Sequence, residues 1–326
     1  MRYYSLTGIL SMDKGRQGYL KHNPSVIFAG ATALLVIALT SLPYARADQV
    51  ATRLAVAPAW SIRWQPARLV NGTPVLFRVK PPSLVKSLNG TWLGHDLPFT
   101  FEPSTKTWYA LAGISLETKP GTYSLTLTAE SGKGMSVSSV KRIRVAAGKY
   151  HTIALLIPKK FTEPNAAQLE AINQGKSLKD KAFLQSGAQR EWSGAFLPPV
   201  NAPVSDVFGT RRTFNAAVQS VHKGLDYAVP AGTPVFAVNS GTVILAHPLF
   251  FEGNCVVLDH GQGLLTLYLH LSEITVKEGD RIARGQQIGM SGATGRATGA
   301  HLHVAVRWQG VYLNPAILFS LHLPRT

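Results

Sequence analysis

Three short segments in the last third of this 326-residue chain contain histidine or aspartate at spacings that suit a metal site, and a fourth is a glycine turn that precedes the last of them. Imidazole and carboxylate groups are good Zn²⁺ ligands, and three protein ligands with one open position form a catalytic zinc site. The segments are His222-Lys223-Gly224-Leu225-Asp226, Tyr268-Leu269-His270-Leu271, Gly292-Ala293-Thr294-Gly295 and His301-Leu302-His303. Together they supply four histidines and one aspartate, so the sequence predicts a catalytic zinc site.

The His301-Leu302-His303 segment makes a geometric prediction of its own. In an extended strand, side chains at positions i and i+2 point to the same face. His301 and His303 would then point into one site, while Leu302 and Val304 would point to the opposite face.

His222 and Asp226 are four residues apart, a spacing that a helix or a folded loop can bring together. Gly224 between them and Pro230 after them disfavour a helix. We therefore expect a strand-loop segment that folds back on the metal.

The motifs together resemble the LytM/lysostaphin-type zinc metallopeptidases over roughly residues 200–316. The resemblance includes the H-x-x-x-D, Y-x-H-L and H-x-H segments and the glycine-rich frame around them. It implies that His222, Asp226 and His303 hold the zinc ion. It also implies that His270 and His301 are catalytic groups.

No H-E-x-x-H motif is present, so the glutamate base of that zinc-peptidase class is absent. An imidazole has a near-neutral pKa and suits general-base catalysis. We assign His301 as the base and His270 as the group that stabilises the oxyanion or shuttles the proton. The sequence does not order these roles, and the reverse assignment stays open.

The resemblance implies an endopeptidase that cuts peptide bonds in peptidoglycan stem peptides or cross-links. The alternative is a non-catalytic wall-binding activator of other wall hydrolases. Degenerate domains of this type lack the ligands, whereas this chain keeps all three ligands and both catalytic histidines. The motifs do not choose between a glycyl bond and a D-alanyl–diaminopimelyl cross-link, although an exported chain without a sorting signal favours the second.

The chain carries 33 Lys and Arg against 17 Asp and Glu, a net charge of +16. Such a surface attracts polyanions, and acidic polymers of the cell envelope are the expected partners beside peptidoglycan. The alternative is that the charge only maintains solubility. A nucleic-acid partner is not expected, because neither interleaved aromatic and basic residues nor a helix-turn-helix pattern occurs.

Residues 1–47 are predicted to be a secretory signal peptide. An apolar run at 26–42 follows basic residues and ends before the cleavage pattern Ala45-Arg46-Ala47. An uncleaved membrane anchor is the alternative, although the run is short for a span. The protein is therefore expected to be exported to the periplasm or cell envelope, with any membrane contact through this segment.

The remaining chain is predicted to be mainly β. Residues 48–157 alternate apolar and polar side chains between turns, which indicates an immunoglobulin-like β-sandwich. Residues 158–198 indicate a basic helical linker. Residues 199–319 are again β-rich, with turns like those of flattened barrels, and the resemblance implies that they form a LytM-type peptidase domain. Residues 320–326 are expected to be a tail. Cys255, the only cysteine, forms no intramolecular disulfide and is expected to be buried.

Overall fold

The computed structural model describes residues 59–132, 134–216 and 218–324. The predicted signal segment, residues 1–47, lies outside these ranges, so its cleavage or anchoring stays a prediction. Within the described ranges, no helix is both long enough and apolar enough to cross a membrane.

Ten strands precede the main helix in the described chain. They are β1 (Ser61–Gln65), β2 (Leu69–Val70), β3 (Pro74–Lys80), β4 (Ser87–Trp92), β5 (His95–Pro98), β6 (Thr100–Glu102), β7 (Thr107–Gly113), β8 (Gly121–Glu130), β9 (Ser136–Ala146) and β10 (Thr152–Leu155). One sheet has the strand order β1-β3-β7-β6, and a second has the order β2-β9-β8-β4-β5. The predicted β-rich character of this region is confirmed.

These two sheets pack against each other through their apolar faces. In β4, Leu88, Gly90 and Trp92 are buried while the residues between them are more exposed, as the period of two requires. The Trp92 ring packs edge-on against Phe77 of β3, with ring centroids 5.5 Å apart. The immunoglobulin-like assignment of this region stays a prediction.

The main helix, α1 (Ala166–Phe183), begins at a capping box. The Asn165 side chain accepts a hydrogen bond from the Gln168 backbone N–H, and the Gln168 side chain accepts one from the Asn165 backbone N–H. Two otherwise unpaired donors of the first turn are thereby satisfied. A single 3₁₀ turn, Lys159–Phe161, precedes the helix. A helix in the predicted linker region is therefore present.

The C-terminal part of the described chain is again built from short strands. They are β11 (Val204–Asp206), β12 (Arg211–Phe214), β13 (Val218–Val221), β14 (Leu225–Tyr227), β15 (Pro234–Phe236), β16 (Gly241–Leu249), β17 (Gly253–Asp259), β18 (Leu264–Leu271), β19 (Glu273–Ile274), β20 (Arg281–Ile282), β21 (Gln287–Met290), β22 (Leu302–Trp308) and β23 (Val311–Leu313), followed by helix α2 (Pro315–Ser320). The largest sheet has the order β11-β14-β22-β18-β17-β16-β20, with β23 paired to β22.

The two faces of the largest sheet have different neighbours. Leu302 and Val304 of β22 belong to the larger apolar core, whereas Ala305 belongs to a smaller cluster on the other face. Ala182 of α1 joins that smaller cluster, so the helix packs on the sheet. His303 shares a face with Ala305 because side chains alternate along a strand. The helix and the predicted metal ligand therefore lie on the same side of the sheet.

The N-terminal sheets and the largest sheet are in direct contact. The rings of His95 in β5 and Trp308 in β22 lie 5.1 Å apart. A separate sheet of order β10-β12-β13 pairs β10 in parallel with β12. All described residues belong to one compact unit. The domain boundaries expected at residues 157 and 198 therefore stay predictions.

His260 is a fully buried structural histidine in the turn after β17. Its Nδ1–H donates to the Ser240 carbonyl at 2.6 Å, and its Nε2 accepts from the Thr266 hydroxyl at 2.8 Å. Burial lowers the pKa of His260 from 6.5 to about 4. The folded protein thus holds this imidazole neutral.

We expect His260 to make the folded state less stable in acid. The unfolded chain protonates His260 below pH 6.5, and the folded chain does so only below about pH 4. The free energy of unfolding therefore falls by roughly 3 kcal/mol as the pH is lowered from 6.5 to about 4. Urea unfolding at several pH values should show a shallower pH slope for His260→Gln than for the wild type. Equal slopes would contradict the assignment.

Candidate metal centre

Strand pairing brings the predicted ligands together in the largest sheet. Asp226 in β14 lies directly opposite His303 in β22, and Leu269 in β18 lies opposite His303 on its other side. His222 stands in the connection between β13 and β14. The central strand β22 therefore carries a histidine between the aspartate strand and the strand that leads to His270.

Three ligand atoms converge on one point. His222 Nε2 lies 3.0 Å from Asp226 Oδ1, and His303 Nδ1 lies 2.7 Å from Asp226 Oδ1 and 3.0 Å from His222 Nε2. Zinc bonds of about 2.0–2.1 Å in a tetrahedron place ligand atoms about 3.3 Å apart. The three atoms can therefore bind one ion after a shift of a few tenths of an ångström.

The hydrogen bond on the far side of His222 shows that a cation suits this position. Its Nδ1–H donates to the Val207 carbonyl at 2.9 Å, so Nε2 of the neutral ring carries a lone pair. That lone pair faces Asp226 Oδ1, which is also an acceptor. Two buried acceptors at 3.0 Å repel each other unless a proton or a metal ion lies between them. The donor set therefore fits zinc.

Asp206 and Arg212 support the ligands from behind. Arg212 donates to Asp226 Oδ2 at 2.6 Å, which leaves Oδ1 directed at the other two ligand atoms. Arg212 also pairs with Asp206, whose carboxylate lies 3.4 Å from His222 Nδ1. The sequence analysis missed both residues. Asp206 stands immediately before the Val207-Phe208-Gly209 segment, and nothing local marks either residue as part of the site.

The charges of the cluster suit metal binding. Burial would raise the pKa of Asp226, but the adjacent imidazoles of His222 and His303 outweigh it and hold that pKa well below its usual value. Burial lowers the pKa of His303. An ionised carboxylate and a neutral imidazole are the protonation states that bind a metal.

His270 and His301 lie beside the three ligands without joining them. Their ring centroids are 4.8 Å apart, and His301 Nε2 lies 4.0 Å from Asp226 Oδ1. His270 Nδ1–H donates to the Thr294 carbonyl at 2.8 Å, and His301 Nδ1–H donates to the Gly299 carbonyl at 2.9 Å. Each ring therefore keeps its Nε2 available. The structure brings all five predicted site residues together.

The backbone at His270 has an unusual conformation. Its φ is 63°, in the left-handed region that non-glycine residues rarely adopt. Its backbone N–H donates to the Glu252 carbonyl at 2.8 Å, which holds the residue there. Burial, then the nearby imidazoles of His303 and His301, lower the pKa of His270 to about 3. Its imidazole is therefore neutral near pH 7.

The ligand cluster opens into a groove of about 900 Å³. His222, His270 and His303 line one part of it. Leu267, Leu269 and Ala305 supply an apolar floor, and the lining also includes Arg212, Glu252, Arg296 and Tyr312. The groove can admit an extended chain beside the metal position.

Gly224 is required by a close approach to His303. A Cβ at residue 224 would lie 2.4 Å from His303 Nε2 and 2.5 Å from the Val304 carbonyl oxygen. We expect Gly224→Ala to displace the His303 ring and weaken zinc binding by about 10–100-fold, the range seen when groups that orient ligands are changed. Competition with a chromogenic chelator measures this. Gly132→Ala is the control, since its Cβ would meet nothing within 4 Å; equal affinities would contradict the prediction.

Comparison with known proteins gives a family match over the same region. Residues 220–315, which include all five site residues, match the description "Peptidase family M23". Peptidoglycan DD-endopeptidase ShyA of Vibrio cholerae is 37% identical over 170 residues, which cover 49% of this chain and 39% of ShyA. ShyC of the same organism is 39% identical over 142 residues, which cover 43% of this chain and 30% of ShyC. The chain thus spans less than half the length of either relative.

A solved structure gives a longer match. A candidate peptidase M23 from Pseudomonas aeruginosa is 30% identical, with a TM-score of 0.60. The match covers 77% of this chain and 95% of that one. Since both sequence and fold agree over nearly the whole of that structure, and the family match contains the His-Asp-His cluster, this chain belongs to peptidase family M23.

Proposed function

We propose that this protein is an exported zinc-dependent endopeptidase that hydrolyses peptide bonds in peptidoglycan stem peptides or cross-links. The observation that carries the proposal is the convergence of His222 Nε2, Asp226 Oδ1 and His303 Nδ1 at 2.7–3.0 Å, with the imidazoles of His270 and His301 beside them. The similarity to proteins named peptidoglycan DD-endopeptidases supports the substrate class.

His222, Asp226 and His303 would hold the zinc ion. A zinc ion in such a set supplies a Lewis acid that lowers the pKa of a water molecule and polarises a scissile carbonyl. Arg212 keeps Asp226 in place through Oδ2, and the Val207 carbonyl fixes the ring of His222. These contacts hold the ligands ready before an ion arrives, which limits the reorganisation that binding requires.

Proton transfer falls to His270 and His301. Each has its Nδ1–H bound to a backbone carbonyl, so each presents Nε2 as the atom that accepts or returns a proton. Glu252, one of the two glutamates that line the groove, is engaged in an ion pair with Lys179 of α1. His301 remains our assigned base and His270 its partner, and the reverse order is compatible with the same contacts.

The groove and the predicted leader suggest the substrate and the compartment. An apolar floor with a few polar side chains suits a flexible extended peptide. Residues 1–47 support export, and the strongly basic composition supports contact with acidic envelope polymers. We place the protein in the periplasm or cell envelope, with a D-alanyl–diaminopimelyl cross-link as the favoured bond.

Digestion of purified peptidoglycan tests the proposal. Zinc-loaded protein should convert cross-linked dimers to monomers, and mass spectrometry of the released fragments should identify the new amine and carboxyl ends. A chelator should abolish the reaction, and added zinc should restore it. Binding to peptidoglycan without any new chain ends would support the non-catalytic activator instead.

A further inference from the structure

The groove contains a half-buried arginine that no ligand assignment uses. The Arg296 guanidinium lies 4.9 Å from the ring centroid of Phe214 and 4.7 Å from that of Phe251. Its backbone N–H donates to the Phe251 carbonyl at 2.8 Å. Aromatic faces attract and orient a guanidinium. The head group is therefore held in one place on the groove wall.

Arg296 lacks a carboxylate partner within ion-pair distance among the described residues, in contrast to Arg212, which pairs with Asp206 and Asp226. Glu252 lies on the same groove but pairs with Lys179 and acts on Arg296 only at longer range. Burial lowers the pKa of Arg296. A partly desolvated cation without a close counter-charge is costly unless a ligand supplies one.

Arg296 belongs to the loop that also contacts the site histidines. It follows Thr294 by two residues, and the Thr294 carbonyl accepts the hydrogen bond that orients His270. The same loop ends at His301, which forms a β-bridge with Gly292. Arg296 and His270 line the same groove. An anion bound by Arg296 would therefore lie in the groove that also holds His270 and the metal ligands His222 and His303.

We propose that Arg296 binds a substrate carboxylate carried by the carbon atom that bears the scissile amide nitrogen. The proposal rests on the function proposed above and deepens it. A planar guanidinium matches a carboxylate through two parallel hydrogen bonds. A D-alanyl–diaminopimelyl cross-link has a carboxylate at that carbon, as does a stem ending in D-alanyl-D-alanine. An internal glycyl bridge has none, so Arg296 selects against it.

Matched peptides test this selection. The substrates are a diaminopimelyl cross-linked dimer with that carboxylate free, the same dimer with it amidated, and a free-acid pentapeptide ending in D-alanyl-D-alanine. For zinc-loaded wild-type protein we expect kcat/KM at least about 10-fold higher for the free acid dimer than for its amide, since charged hydrogen bonds are typically the strong ones. Cleavage of the pentapeptide shows whether the carboxylate of a terminal D-alanine is accepted as well as that of the diaminopimelyl residue.

Variants assign the selection to Arg296. Arg296→Gln should lower kcat/KM on the acid dimer by about 10–100-fold and leave the amidated dimer within about 3-fold, with zinc content and Tm unchanged. Arg296→Lys should retain part of the preference. Arg307→Gln is the matched control, because Arg307 stacks on Phe183 at 4.3 Å and is not part of the groove lining. It should keep the wild-type preference.

The outcomes separate this proposal from the proposed function. Equal cleavage of acid and amide by the wild type would overturn the carboxylate site and leave the endopeptidase intact. If no peptide were cleaved, the proposed function would fail. Binding of uncleavable reduced-amide analogues to zinc-loaded protein would then test the carboxylate site at Arg296 without any cleavage. A tighter Kd for the acid analogue that Arg296→Gln removes would support the site, and equal Kd values would overturn it.

Discussion

Replacement of His303 by alanine should remove most of the bound zinc and all measurable hydrolysis. His303 supplies one of the three converging atoms and lies on the central strand between Asp226 and His270. Two remaining ligands bind zinc far more weakly than three, and even changes in groups that only orient ligands cost about 10–100-fold in affinity. We therefore expect a loss of at least about 100-fold, measured as zinc content after dialysis.

His247→Ala is the matched control for the zinc measurement. His247 is exposed in β16, and its Nδ1–H donates to the Pro248 carbonyl at 2.7 Å, away from the cluster. This variant should keep one zinc ion per chain and full activity. Full zinc content in His303→Ala would show that the ligand set proposed here is wrong.

His270→Ala and His301→Ala should each keep zinc and lose hydrolysis by about 10²–10⁴-fold in kcat, the usual contribution of a general acid or base. The reason is that metal binding and proton transfer use different residues, and His222, Asp226 and His303 bind the zinc ion. The other two imidazoles present Nε2 from rings held by the Thr294 and Gly299 carbonyls. Zinc content and steady-state kinetics on cross-linked peptides measure the two effects separately.

Two results would overturn this division. Loss of the metal from His301→Ala would make His301 a ligand in place of His303. Full activity in both variants would show that the proton is handled elsewhere in the groove, even with the family membership unchanged. If both variants keep zinc and lose activity, the pH–rate profiles of His270→Ala and His301→Ala would show which histidine is the base, since removal of the base alters the acidic limb.

The elements that carry the motifs could be predicted because their signals are local. The stretch Leu302–Trp308 alternates between two faces, and the structure places His303 on the face opposite Leu302 and Val304. Glycine and proline around residues 222–230 disfavoured a helix, and the structure has strand β14 there. A helix was predicted within residues 158–198, and the structure has α1 there, beginning at the Asn165 cap. Each of these depends on neighbours within a few residues.

Other features could not be read from the sequence because they depend on distant contacts. Arg212 reaches both Asp206 and Asp226 only after β12 and β14 are in place. The left-handed backbone of His270 depends on the Glu252 carbonyl, and the packing of α1 on the sheet places Lys179 beside Glu252. The pairing of β10 with β12 likewise joins residues about sixty positions apart. The local sequence of residues 158–198, predicted as a helical linker, gave no sign of these contacts.

The sequence by itself determined which side chains can bind zinc and which can transfer protons, because both depend on residue type and on spacing along the chain. Tertiary structure decided that Asp226 faces His303, because strand register follows from burial of one sheet face and a shift of one residue would reverse it. It also decided that Arg212 is neutralised while Arg296 is not, because the positions of their partners depend on how the strands and α1 pack.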